Sequence, residues 1–207
     1  MNYYIPFRTL DKKFPSITLH KNSENFDTED TGKTSNDVFF EDAYKKTKDT
    51  FFTLPGAMIF DNSLIVIQEA KDFFKNNVSI QPATFIDNDN KYHENYWLIK
   101  PSTYYSAISL DKSDYEITFI LDSNEPLFNT YEFEKIVTFK ETNNSPSIFI
   151  DTYLKLLVID ESILEEFKKQ KISGLSFLNI EAFKFSKMFQ ENNDIINIWN
   201  ITYLFEH

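Results

Sequence analysis

The chain has 207 residues, a formal charge of −11, 42% hydrophobic residues, three glycines and no cysteine. That length can bury a sizeable core without staples, and the missing thiols exclude disulfides, thiolate metal sites and a cysteine nucleophile. Glycine at about a fifth of the usual ~7% leaves no room for glycine-rich phosphate loops or dinucleotide fingerprints, and the acidic balance argues against nucleic acid as a partner.

Taken from the N-terminus, the start MNYYIPFRTLDKKF lacks a basic segment followed by an apolar one, so no secretory signal is expected. No apolar run approaches the ~18 residues of a membrane span. Together these point to a cytoplasmic protein with no membrane partner. Residues 20–37 are almost wholly polar and read as one long loop. The segment Val38–Phe52 mixes aromatics with Lys and Asp, and a helix is expected there.

Two later segments look alike. Leu64–Ile67 is a short apolar run followed by a helical pattern with Ala70, Phe73 and Phe74 on one face, then a strand at Val78–Ile86. Leu156–Ile159 is likewise followed by a helix with Ile163, Leu164 and Phe167 on one face, then a strand at Ile172–Ile180. Asp160 suits the N-cap of that second helix, Glu161 its positive end, and Gly174 a positive φ in the turn beyond it. A strand–helix–strand duplication is therefore expected, in halves at about 55–100 and 147–180 of a single domain spanning residues 1–207.

Between the halves, Tyr96–Ile99 is a short aromatic and aliphatic run stopped by Lys100 and Pro101. Tyr104–Leu110 is either a short helix or an extended connection. Tyr115–Leu121 alternates as a half-buried strand, and strands at Ile136–Phe139 and Ser147–Ile150 flank a polar turn. Near the end, residues 181–192 read as loosely helical and Ile195–Phe205 as β-rich. Strands outnumber helices without alternating regularly, which predicts an α+β fold, mostly antiparallel sheet with a few packed amphipathic helices.

The charge sits in two places. Residues 24–42 hold seven acids against Lys33, and residues 111–135 hold seven against Lys112 and Lys135; these nets of −6 and −5 account for the whole −11. Catalytic material is scarce. His20, His93 and His207 give no ligand spacing with the nearby acids, no serine lies in a nucleophile elbow, and Thr31–Thr34 lacks the upstream glycine of a phosphate loop. No metal, cofactor or enzymatic activity is expected.

Three blocks carry a family resemblance: Leu64–Phe74 with the strand at Ile80–Pro82; the run Tyr96–Pro101 followed by Ser106–Tyr115; and Ser147–Ile150, Leu157–Glu161, a helix, and Ile172–Phe177. With these the chain resembles a family of bacterial immunity proteins from polymorphic-toxin systems, immunity family eleven, over roughly residues 55–180. The family places a hydroxyl residue where Asp160 stands here, whereas Gly174-Leu-Ser-Phe177 fits its pattern. The resemblance implies a protein that neutralises a cognate toxin by direct contact, and it supplies no catalytic motif.

The charge pattern then suggests the face. Asp111, Asp114, Asp122, Glu125, Glu132 and Glu134 would meet a basic toxin surface, with Tyr115, Phe128 and Tyr131 as anchors. Glu132 and Glu134 would share one side of a strand, and Tyr131 and Phe133 the other. The acidic segment 24–42 is the second candidate. The competing reading is a small-molecule or carbohydrate-binding module, or an enzyme of unknown type, built on an aromatic cleft near Trp97 and Tyr104. A structural subunit is the third.

Overall fold

The computed structural model describes residues 2–9, 14–20, 23, 38–43, 54–122, 125–139 and 145–183, and of residues 118–122 and 125–130 only the backbone. Thirteen strands and two α-helices are described: β1 (Tyr3–Arg8), β2 (Ile17–Leu19), β3 (Val38–Asp42), β4 (Ala57–Phe60), β5 (Ser63–Ile67), α1 (Gln68–Lys71), β6 (Val78–Ile86), β7 (Tyr92–Pro101), β8 (Tyr104–Tyr105), β9 (Asp114–Asp122), β10 (Glu125–Lys135), β11 (Ile148–Asp151), β12 (Leu157–Asp160), α2 (Glu161–Lys169) and β13 (Leu175–Asn179). They form a six-stranded sheet in the order β2-β3-β6-β7-β5-β4, a five-stranded sheet β13-β1-β12-β11-β8, and a two-stranded ribbon β10-β9. Among the described strands only β3 with β6 and β11 with β8 pair in parallel. The expected α+β class with mostly antiparallel sheet holds, with sheet dominating and helices few.

The two look-alike segments share a topology. β5 and β6 both pair antiparallel with β7, which lies between them. β12 and β13 both pair antiparallel with β1 in the same way. Each helix therefore joins two parallel strands split by a third running the other way, a split βαβ unit. A hairpin strand precedes each unit, β4 before β5 and β11 before β12.

α2 forms as its sequence dictates. Asp160 Oδ1 accepts from the Ile163 backbone N–H at 3.1 Å, and Ile163, Leu164 and Phe167 are buried. α1 is a single turn, shorter than its apolar spacing suggests, because Ile67 offers no capping acceptor and Asn77 turns the chain at φ 59°. Phe73 and Phe74 have left the helix by then, yet both rings pack on Phe167, at 5.7 and 6.4 Å between centroids. These residues, with Leu64, Ile99, Ile159 and Phe177, make the core between the two units.

The six-stranded sheet curls until its edge strands β2 and β4 touch. Phe40 of β3 meets Phe60 of β4 at 5.1 Å. Strand alternation sends Tyr96 and Leu98 into this nearly closed barrel, with Val38, Phe40, Ile65 and Phe85, while Ile99 faces the core between the units. Two prolines sit where no ladder bond is missed: Pro6 lies beyond the residues that β1 pairs with β12, and Pro82 just before those that β6 pairs with β3.

Two of the three glycines meet where the units join. The Ala57 N–H donates to the Ser173 carbonyl at 2.8 Å, and Gly174 has φ +108°. A Cβ at Gly174 would fall 2.2 Å from the Ala57 carbonyl oxygen, and one at Gly56 3.0 Å from Ile172 Cγ2.

The structure departs from the sequence reading in several places. The run Tyr96–Ile99 is not stopped at Lys100 and Pro101: β7 begins at Tyr92 and continues through both, which pair with Ser79 and Val78 of β6. Val38–Asp42 is a strand and not the start of a helix, because its burial alternates with period two beside β6. Ile136–Phe139 is not a strand, and only Thr138 bridges, to Ile108. β1, an interior strand of its sheet, β2 and β4 were not anticipated. Residues 24–37, 44–52 and 184–207 lie outside the described residues, as do the readings placed on them. No helix among the described residues is long and apolar enough to cross a membrane.

Candidate functional site

The acidic segment 111–135 folds as the ribbon β9–β10. Its stem is clamped by hydroxyls: the Ser109 N–H donates to the Val137 carbonyl, the Ser113 hydroxyl donates to the Ser109 carbonyl at 2.8 Å, and the Val137 N–H donates to Ser113 Oγ at 2.9 Å. Asp111 lies in the 3₁₀ turn before β9, accepts from the Ser109 hydroxyl, and is exposed.

Register then decides what the ribbon presents. Glu116 stands opposite Glu132 and Asp122 opposite Glu125, whereas Asp114 faces Lys135. A register shift makes Glu134 an extra residue on β10. Glu134 is exposed while Glu132 is half-buried, so the simple two-residue alternation expected of them is broken by a bulge. Tyr131 and Phe133 do share a face, with stacked rings 6.1 Å apart.

Tyr115 and Tyr131 turn inward. Tyr115 lies 5.5 Å from Tyr131 and 5.7 Å from Phe133, and Tyr131 lies 4.9 Å from Tyr153. Both are half-buried against a core that also holds Ile108, Ile136 and Phe149. They join the ribbon to the body. The backbone places Phe128 opposite Ile120, toward the tip. Ile117, opposite Tyr131, and its neighbour Glu116, one of the seven acids counted in this segment, are both exposed on β9.

Trp97 and Tyr104 lie on different sheets. The Trp97 indole N–H donates to Gln68 Oε1 at 2.6 Å, and Lys71 Nζ lies 3.3 Å from its ring centre. Tyr104 is exposed on the edge strand β8.

A cavity of about 730 Å³ opens elsewhere, lined by residues 54–56, 92–96 and 170–173 with Ile67. Its walls are tied together: the Tyr96 hydroxyl donates to the Pro55 carbonyl at 2.8 Å, and burial pushes that phenol far above its ordinary range, which keeps the donor protonated. His93 Nε2 lies 2.9 Å from Asp87 Oδ2, and Asp87 Oδ1 accepts from the backbone N–H groups of Asp89 and Lys91. Burial alone would raise the Asp87 carboxyl, but these hydrogen bonds outweigh it and hold the group below its usual value. An ionised Asp87 can only accept, so Nε2 carries the imidazole proton.

Asp151, fully buried at the end of β11, accepts from the Tyr153, Leu154 and Ala107 N–H groups, and burial raises its carboxyl despite them. This is a structural carboxylate, holding the turn after β11 and, through Ala107, the segment between β8 and the 3₁₀ turn that precedes the ribbon. Among the described residues no three His, Asp or Glu side chains gather as a metal-binding group. No protein-family model matches the chain, and no curated protein matches it.

Proposed function

We propose that this protein is a cytoplasmic immunity protein, without enzymatic activity, that neutralises a cognate bacterial toxin by covering a basic surface on it. The observation that carries the reading is the ribbon: the segment 111–135 gathers seven acids against two lysines into one two-stranded element, and a basic partner would complement that charge. Asp111, Asp114, Glu116 and Glu134 are exposed. Among the described residues neither ribbon strand pairs with a third strand, and such an edge suits main-chain pairing with a partner. The inward packing of Tyr115 and Tyr131 shifts the anchoring role proposed for them toward holding the ribbon in place, with Phe128 and Ile117 nearer the partner.

Capture of the tagged protein from cells that make the toxin should yield one stoichiometric protein partner. Charge reversal by Asp122→Lys with Glu125→Lys should then slow association by about tenfold at low salt and flatten its salt dependence. A partner bound equally fast by the reversed variant would place the interface elsewhere, and no protein partner at all would overturn the reading.

A further inference from the structure

Two of the five exposed large apolar side chains in the described structure, Leu54 at 38% and Tyr92 at 51%, line the cavity between β7 and the end of α2. None of its lining residues belongs to the ribbon, so its use does not depend on the toxin-binding reading. The volume falls within the ~300–1,000 Å³ of small-molecule sites.

The walls are preorganised by bonds that no ligand has to form. The Tyr96 hydroxyl ties β7 to the segment around residue 55, and the Gly56–Ser173 contact and the Ala57–Ser173 backbone bond lock that segment to the one around residue 172. Phe39 meets the Tyr92 ring edge-on at 6.4 Å and braces it, and Asp87 fixes the tautomer of His93. A site held in its bound shape loses little freedom on binding.

The chemistry of the lining selects the ligand class. Among the described residues the lining holds one acid, Glu94, and one lysine, Lys171, and its histidine is already matched by Asp87, so these groups favour no charge of either sign. What remains is an aromatic face at Tyr92 ringed by groups that both donate and accept: Asn95, Gln170 and Ser173. An aromatic face takes the flat side of a ring, and amide and hydroxyl groups meet polar substituents on its rim.

We propose that this cavity binds a neutral, hydroxylated ring compound, a saccharide or a nucleoside, stacked on Tyr92 and hydrogen-bonded at its rim by Asn95 and Gln170. The test is saturation-transfer NMR and titration of the full chain with a panel of neutral mono- and disaccharides and a panel of nucleosides. Saturable binding within either panel, weakened about tenfold or more by Tyr92→Ala, supports the site and identifies the source of the ring. Tyr92 is half exposed, so the unliganded melting temperature should not move; if it does, Asn95→Ala makes the same test from an exposed position. No saturable binding in either panel, or binding that survives the substitution unchanged, overturns it.

Discussion

The two split βαβ units do the same job with different means. In the first, hairpin, helix, outer strand and middle strand follow one another from Ala57 to Pro101. In the second, the middle strand is β1, supplied from the other end of the chain, where Tyr4 pairs with Ile159 and with Asn179. The first hairpin turns through Asp61 and Asn62, with Asp61 at φ 51°; the second takes Thr152–Leu156, with Lys155 at φ 57° and buried Asp151 holding the turn. The first helix is one uncapped turn, the second nine residues behind an aspartate cap. A unit whose middle strand is local can be assembled from neighbouring contacts. One whose middle strand is remote must close a long loop first, and its firmer helix and turn offset part of that entropy.

The widest difference between the units comes from removing residues 2–8. The second unit should lose its cooperative thermal transition by circular dichroism, and a peptide of the same residues added in trans should restore it. An unchanged transition would mean that β1 is dispensable and the comparison false.

Phe167→Ala comes next. It removes the ring on which Phe73, Phe74 and Phe177 all pack, and should cost about 3–5 kcal/mol in denaturant unfolding. Phe74→Ala should be less than additive with it, because the two rings share one contact across the units.

Asp160→Ala should cost about 1 kcal/mol through the lost cap and lower helix content. Ile67→Ala at the equivalent place should leave helix content unchanged, since no cap is lost.

The smallest effect is one of pH. Burial raises the Asp151 carboxyl in the folded chain, so folding favours its protonated form. Its contribution is full below the ordinary carboxylate range and falls as pH rises through the raised value. Melting temperatures across that range should fall with pH in the native chain relative to Asp151→Asn. A gap that stays constant with pH would show that Asp151 titrates alike in both states.

What could be read ahead of the structure, and what could not, divides by distance along the chain. The Asp160 cap, the positive φ of Gly174 and the buried face Ile163–Leu164–Phe167 each depend on residues a few positions apart. Val38–Asp42 was misread because five residues of mixed aromatics and acids satisfy a helical period as easily as an alternating one; pairing with β6 settles it. Tyr115 and Tyr131 were visible as aromatics beside acids, but whether they point at a partner or at Tyr153 depends on how the ribbon meets the body. The cavity draws on three segments more than a hundred residues apart at the extremes, and no local pattern marks it.

By itself, the amino-acid sequence determined the α+β balance, the capped second helix, the apolar strands of both units and the concentration of charge in residues 111–135, because each follows from periodicity and composition within a short window. Tertiary structure alone decided that β1 completes the second unit, that the six-stranded sheet curls into a nearly closed barrel, and that Glu116 faces Glu132. Those outcomes depend on which remote strand offers a matching edge and register, and that free energy exists only once the chain has folded.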